Sequence, residues 1–229
     1  MEYQKAVTFS YDDGVLQDRK LVEIFNKYGI KCTFNLNTGI QSRENSFEID
    51  GKAVYRMNQE EIGDLYQGHE IAVHGLTHAA AQKFDEEKLE EEFGKDIANI
   101  TKIYGSRPVG MAYAYGVYDD ITIDYLQRQG IRYGRTVEVT HSFEVPAEPM
   151  LLKGTCHHDD EKLFELAEQF LAAKPAPKEQ MLFYIWGHSY EFYVKDNWNR
   201  IEELCRMLHS RKDIFYGTNR QCLELFHVI

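Results

Sequence analysis

The chain has 229 residues, enough for one large hydrophobic core, and it reads as a single domain over 1–229. Its formal net charge is −11, and no basic patch is interleaved with aromatics, so a nucleic-acid partner is not expected. The first strand begins almost at Met1, with no apolar leader and no segment long enough to span a bilayer, which predicts a cytoplasmic protein; a secreted chain trimmed of its signal would look the same.

Apolar runs of strand length alternate with segments of helical period almost to the end of the chain. Lys5–Phe9 is the first strand. A helix over Asp18–Tyr28 follows, with Leu21, Val22, Ile24 and Phe25 as its apolar face and Gly29 as its stop. Next come a strand at Lys31–Leu36 and an irregular stretch, Asn37–Tyr55, with room for a small hairpin. Asn58 caps a helix through Gln67, with Glu61 as capping-box partner, and Gly68 leads into a strand at Glu70–Val73.

A long charged helix is predicted over Asp85–Tyr104, its Glu run read as a solvated face. Val109–Tyr113 is a strand, Asp119–Gln129 a helix and Ile131–Val137 a strand. After an irregular stretch holding Pro146 and Pro149, Asp160–Ala173 is helical, and the break at Pro175 and Pro177 opens onto the strongest strand, Met181–Trp186. A helix at Asn197–Leu208, a strand at Ile214–Tyr216 and a short terminal helix complete the order. Repeated βα units predict an α/β fold with a parallel sheet, closed or nearly closed into a barrel.

The chemistry-bearing residues fall at strand ends. Thr8-Phe9-Ser10-Tyr11-Asp12-Asp13-Gly14 places two carboxylates where the first strand stops. Asp-Asp-Gly is ordinary turn chemistry too, so the pair alone decides little. His74 closes another strand and His78 follows four residues on, where a helix-like turn sets both imidazoles on one face. Two His and one carboxylate leave coordination positions open, as a catalytic metal site requires. Adjacent side chains at a strand end point different ways, so one Asp can ligate while the other works on a bound water. A metal lowers that water's pKa from about 15.7 to about 7. His188, in Trp186-Gly187-His188, stands at a further strand end.

Other polar residues carry less. Cys32, Cys156, Cys205 and Cys222 form no Cys-x-x-Cys pair and read as buried thiols of a reducing compartment. Cys156-His157-His158 invites a metal reading, but nothing near it in sequence completes a site, and His157 is left out of the candidate set. His69, His141, His209 and His227 are read as structural or surface residues. Tyr3, Tyr11, Tyr113 and Tyr190 are read as barrel packing ahead of a sugar-stacking platform.

Ser10-Tyr11-Asp12-Asp13-Gly14, the His74-x-x-x-His78 pair, a later Tyr115-Gly116 and a late strand ending in His188 together resemble the polysaccharide deacetylases, the NodB-homology domain of carbohydrate esterase family four. The match runs in order from about residue 5 to residue 225. The resemblance implies a deformed (β/α) barrel of about seven parallel strands, related to the TIM barrel. It implies removal of acyl groups, usually N-acetyl from amino sugars, with a zinc-type divalent ion; cobalt, nickel and manganese are the other candidates. It further implies that Asp12 is the general base, that Asp13, His74 and His78 bind the metal, that His188 is the general acid, and that the Tyr115 backbone N–H helps hold the oxyanion.

The sequence departs from the family pattern in four places. Gly75 stands where a Ser or Thr usually follows the first metal His, so bracing of that loop must come from elsewhere. Ala112 replaces the Arg that pairs with the base; Arg135 is the candidate substitute, an ordinary surface Arg the competing reading. Trp186 replaces the Leu that walls the acetyl pocket. The Asp-x-x-Asp-Trp run that tunes the acid has no match, which leaves Glu191, Asp159 or Asp160 to orient His188.

The leading expectation is a hydrolase of C–N amide bonds, acting on an N-acetyl sugar or short oligosaccharide. Hydrolysis of a cyclic amide or ureide on the same fold is the nearest alternative. A non-catalytic sugar-binding relative and an Fe(II) oxygenase are the readings from other classes. Oligomeric state is left open.

Overall fold

In the computed structural model, which describes residues 3–229, the alternation of strand side chains sets the architecture from the first element. Along β1 (Lys5–Asp12), Val7, Phe9 and Tyr11 join the large core shared with the helices, while Ala6 joins a second core inside the barrel. Period two then turns Thr8, Ser10 and Asp12 to that same inner side.

After β1 come α1 (Asp18–Tyr28), β2 (Thr33–Leu36), a hairpin of β3 (Phe47–Ile49) and β4 (Lys52–Val54), α2 (Gln59–Leu65) and β5 (Glu70–Val73). A continuous helical segment follows: α3 (Glu86–Leu89), a π-helical turn (Glu90–Gly94) and α4 (Lys95–Tyr104). Then come β6 (Gly110–Ala112), α5 (Asp120–Arg128), β7 (Tyr133–Val139), β8 (Leu152–Gly154), β9 (Cys156–His157) and α6 (Leu163–Ala172). The chain ends with β10 (Met181–Gly187), α7 (Ser189–Val194), α8 (Trp198–Leu208), β11 (Ile214–Tyr216) and α9 (Asn219–Leu225).

The main sheet runs in the order β8-β7-β6-β5-β2-β1-β10-β9, with β11 added to the start of β1. Its ladders are parallel throughout. The two ends of this path, β8 and β9, are separated in sequence by Thr155 alone. One kinked segment therefore pairs with β7 on one side and β10 on the other, and the Thr155 N–H donates to the Tyr184 carbonyl at 2.7 Å. Counted as one strand, it closes an α/β barrel of seven parallel strands.

Inside, Ala6, Tyr133, Leu152, Leu182 and Tyr184 pack on Cys222, Leu223 and Phe226 of the α9 region. The N-terminal end of the barrel is thus filled with apolar side chains. Toward the C-terminal ends of the strands, the buried residues turn polar: Ser10, Asp12, Asn35, His74 and Arg135. That is the end of a parallel barrel where loops converge and sites form.

Several expected elements differ in detail. The irregular stretch before α6 contains β8 and β9, three and two residues long, too short to display a period. The helix expected from Asp160 starts at Leu163, since the Asp160 carboxylate accepts the Lys162 N–H at 2.9 Å in a turn of its own. Helix α7, directly after His188, was not expected. The Glu run is not a uniform solvated face: Glu86, Glu87, Glu90 and Glu91 are exposed, but Glu92 is buried. All four cysteines are buried free thiols. Among the described residues, no helix is long and apolar enough to cross a membrane.

Candidate active site and metal centre

Strand β1 delivers Asp12 as its last residue, paired in register with Asn35 of β2. Asn35 Nδ2 donates to Asp12 Oδ1 at 2.8 Å, and Arg135 Nη2 donates to Oδ2 at 2.5 Å. Arg135 is wholly buried, so it is no surface residue; its guanidinium lies 4.7 Å from the Trp186 ring centroid. Burial alone would raise the Asp12 carboxyl. Arg135, His74 and His188 outweigh it and hold the group at about 2.

Asp13 leaves the strand with φ of 83°, a left-handed conformation that Asp tolerates better than most residues. Its side chain thereby turns away from that of Asp12. Arg56 holds it there, donating to the Asp13 carbonyl at 2.6 Å and to Oδ1 at 3.3 Å. This Arg arrives because residues 55–57 run antiparallel to 14–16, with Leu16 N–H bonded to the Tyr55 carbonyl and Met57 N–H to the Gly14 carbonyl.

His74 follows β5, and its Nδ1 lies 2.8 Å from the Ala112 carbonyl. A carbonyl only accepts, so Nδ1 carries the proton and Nε2 keeps its lone pair. That Nε2 is buried and has no protein partner. His78 lies beside it, ring centroids 4.7 Å apart, and its Nε2 is 3.9 Å from Asp13 Oδ1. One ligand atom each from Asp13, His74 and His78 fall within 4.8 Å of one another. Two imidazole nitrogens and a carboxylate oxygen, one nitrogen left without a partner, fit a divalent cation.

The helix-like turn expected between the two His is absent. Residues 74–80 form a non-helical loop, and His78 has φ of 62°. The loop, not helical periodicity, brings the rings together. Tyr115 sits in the tight turn after β6, φ 58°, its ring 4.5 Å from that of His78. Its ring therefore borders the cluster while 66% of the residue remains exposed. Asp13, His78 and Tyr115 are all non-glycine residues at positive φ, strain of the kind that functional sites retain.

His188 caps α7 across the opening, with Nε2 3.8 Å from Asp12 Oδ2. Of the three candidate carboxylates Glu191, three residues on, is the one beside it: Glu191 Oε1 is 3.5 Å from His188 Nδ1, too far for a hydrogen bond, and Oε2 accepts the His188 backbone N–H at 3.3 Å. Burial alone would lower the His188 imidazolium, but Glu191, Asp12 and Asp13 raise it to about 9. Asp160 and Asp159 are engaged elsewhere, with His141 at 2.6 Å and with Lys195.

The Cys156-His157-His158 run does acquire carboxylate neighbours in space, contrary to the sequence reading. His157 Nε2 is 3.2 Å and His158 Nε2 2.9 Å from Glu191 Oε2, and Asp159 completes the group. The hydrogen bonding of His157 does not leave it poised as a ligand, while among the described residues both ring nitrogens of buried His158 lack a well-aligned hydrogen-bond partner. His157 Nδ1 accepts the Asp159 N–H at 3.2 Å, so the proton of the neutral ring sits on Nε2 and points at Glu191. His158 is a buried packing residue, stacked between Tyr11 and Phe192.

Sequence reasoning missed Asn35, Arg56 and Glu92. Asn35 left a signal: Thr33-Phe34-Asn35-Leu36-Asn37 alternates polar with apolar in a strand that ends up buried throughout. Arg56, 43 residues from Asp13, left none. Tyr11 and Tyr113 are core residues and Tyr3 pairs with Phe215, so only Tyr190, 5.1 Å from His188, lies at the opening.

The sequence profile described as polysaccharide deacetylase matches residues 2–134. That stretch is more than half of the 229 residues; it includes Asp12, Asp13, His74, His78 and Tyr115 and ends before Arg135 and His188. Comparison with curated proteins finds no match. Among solved structures, the chain is similar to Puue allantoinase at 12% identity and a TM-score of 0.69, over 99% of this chain and 91% of that one. It is similar to the CE4 domain of a multidomain xylanase from the hindgut metagenome of Trinervitermes trinervoides, at 15% identity and a TM-score of 0.63, over 96% and 90% of the two chains. It is also similar to a CE4 family pseudoenzyme from Bacillus anthracis, at 13% identity and a TM-score of 0.57, covering 97% of this chain and 66% of that one. Likeness at these identities shows a shared barrel fold.

Proposed function

The chain belongs to the polysaccharide deacetylase family, and from that premise we propose that it is a metal-dependent hydrolase removing an N-acetyl or other small acyl group from an amino sugar or oligosaccharide. One arrangement carries the reading. Asp12 Oδ2 lies 3.9 Å from His74 Nε2 on the side of the metal cluster and 3.8 Å from His188 Nε2 on the other, with Arg135 and Asn35 fixing its carboxylate.

Asp13, His74 and His78 would hold the ion, which when bound supplies Lewis-acid polarisation of the acyl carbonyl and acidification of a water. Asp12, ionised at neutral pH, takes a proton from the water that attacks the carbonyl carbon. The Tyr115 N–H donates to the oxyanion that develops there. His188, protonated below about 9, gives its proton to the amine nitrogen as the C–N bond breaks. The Trp186 ring, which Arg135 stacks on, stands in the place of the family's acyl-pocket Leu and changes which acyl or ring group fits. The parallel barrel also supports hydrolysis over an iron oxygenase, whose ligands usually sit on a β-sandwich-like scaffold.

The test is acetate release from a panel of N-acetylated amino sugars and short oligosaccharides by the metal-loaded protein, beside Asp12→Asn. Release by the native chain and its loss in the variant support the reading. Turnover confined to cyclic amides or ureides transfers the same machinery to that substrate class. Sugar binding unchanged in Asp12→Asn, with no turnover at any metal loading, identifies a non-catalytic relative.

A further inference from the structure

We propose that Glu92 and Gly75 form a matched pair that positions the metal loop, Glu92 acting as a clamp on the segment between the two ligand histidines; the inference rests on the metal reading given above. The long helix interrupts its regular winding with the π-helical turn Glu90–Gly94, and Glu92 lies in that turn. Leu89, Phe93, Ile97 and Ile100 make the buried apolar stripe of this helix, and Glu92 and Asp96 interrupt it with two buried carboxylates four residues apart. Two buried carboxylates in an apolar stripe are costly unless they are fully hydrogen-bonded. These are spent on the loops around the metal cluster.

Glu92 Oε1 accepts the backbone N–H groups of Thr77 at 2.9 Å and Ala79 at 3.1 Å, and Oε2 accepts the Thr77 hydroxyl at 2.8 Å. The Glu92 backbone carbonyl accepts the Leu76 N–H at 2.8 Å. The carboxylate thus grips the residues on either side of His78. Asp96 adds a contact at the base of the loop, its Oδ2 3.3 Å from the His74 N–H. In a chain with no helical turn between the ligands, this grip takes the place of the periodicity that would otherwise align them.

Gly75 is the complement. It has φ of 84°, and a Cβ placed there would lie 2.7 Å from Glu92 Oε1. A side chain at position 75 therefore requires the Glu92 carboxylate to move from its present place. A carboxylate from a distant helix occupies the space next to Gly75, where the resemblance leads one to expect a hydroxyl residue. Gly75 and Glu92 were seen in the sequence only as a missing brace and a surface charge.

The experiment is equilibrium binding of Co2+ alone, read by its visible absorption and by chelator competition, to the full chain and to Glu92→Ala, Glu92→Gln and Gly75→Ala. Outer partners of metal ligands typically contribute about 10–100-fold in affinity. Glu92→Ala is expected to weaken Co2+ by that factor. Glu92→Gln, which keeps an Oε1 acceptor for both N–H groups, recovers part of it. Gly75→Ala, which displaces the same carboxylate and strains a backbone at φ of 84°, is also expected to weaken Co2+ and covers the case in which Glu92→Ala does not fold. Folded variants with native Co2+ affinity overturn the clamp while the metal reading stands. A native chain that binds no Co2+ overturns both.

Discussion

The molecule has two histidine–carboxylate clusters, and their ring nitrogens meet different partners. In the first, His74 donates Nδ1–H to a backbone carbonyl and His78 lies against Asp13, so a buried ring nitrogen is left with its lone pair free. In the second, His157 accepts an N–H on Nδ1 and directs Nε2 at Glu191, which also faces His158 and His188. Composition does not separate the two; each offers imidazoles and carboxylates within ligand distance. The partner of the other ring nitrogen does. An acceptor on His74 Nδ1 puts that ring's free lone pair on Nε2, whereas a backbone N–H on His157 Nδ1 puts the proton of the neutral ring on Nε2.

The comparison breaks most completely at His74. His74→Ala should abolish Co2+ or Zn2+ binding and reduce acetate release to background, and added metal should not restore it, whereas a chelated native chain should recover on reloading. Next in size is the pair of groups between the clusters. Asp12→Asn and His188→Ala should each lower kcat by about 10²- to 10⁴-fold with metal content retained, measured by turnover beside metal analysis. A loss of metal in either would place that residue in the first cluster.

Glu191→Gln sharpens the second cluster through pH. His188 is raised to about 9, chiefly against burial by Glu191, so the acid form is present at neutral pH and is lost as pH rises through that value. Removing the Glu191 charge lowers the His188 value, and the alkaline limb of the rate profile should move toward the ordinary histidine range near about 6.5. His157→Ala, which removes one donor to Glu191 and leaves His188 in place, should shift that limb least. His158→Ala should act on stability, lowering it by about 2–5 kcal/mol in thermal unfolding by emptying the space between Tyr11 and Phe192.

Much of the barrel was legible because period and punctuation carry it. Helix α1, strands β5 and β11 and the hairpin region fall where residue pattern placed them. The strand-end positions of Asp12, Asp13 and His74 were legible for the same reason. What was not legible depends on contacts between distant segments. Arg56 reaches Asp13 from a different loop, Glu92 hides among exposed glutamates in a helix that changes winding at that point, and β8 and β9 are too short to show a pattern. Ala112 shows the limit most clearly: its side chain removes an Arg, while its carbonyl, invisible to any residue pattern, orients His74.

The most direct measurement is the stoichiometry of Co2+ bound to the full chain, its Glu191→Ala variant and its His74→Ala variant, by titration with metal analysis. One equivalent on the native chain, one on Glu191→Ala and none on His74→Ala is the predicted result. Two equivalents on the native chain, or one that survives His74→Ala and disappears with Glu191→Ala, would contradict the assignment of the ion to Asp13, His74 and His78.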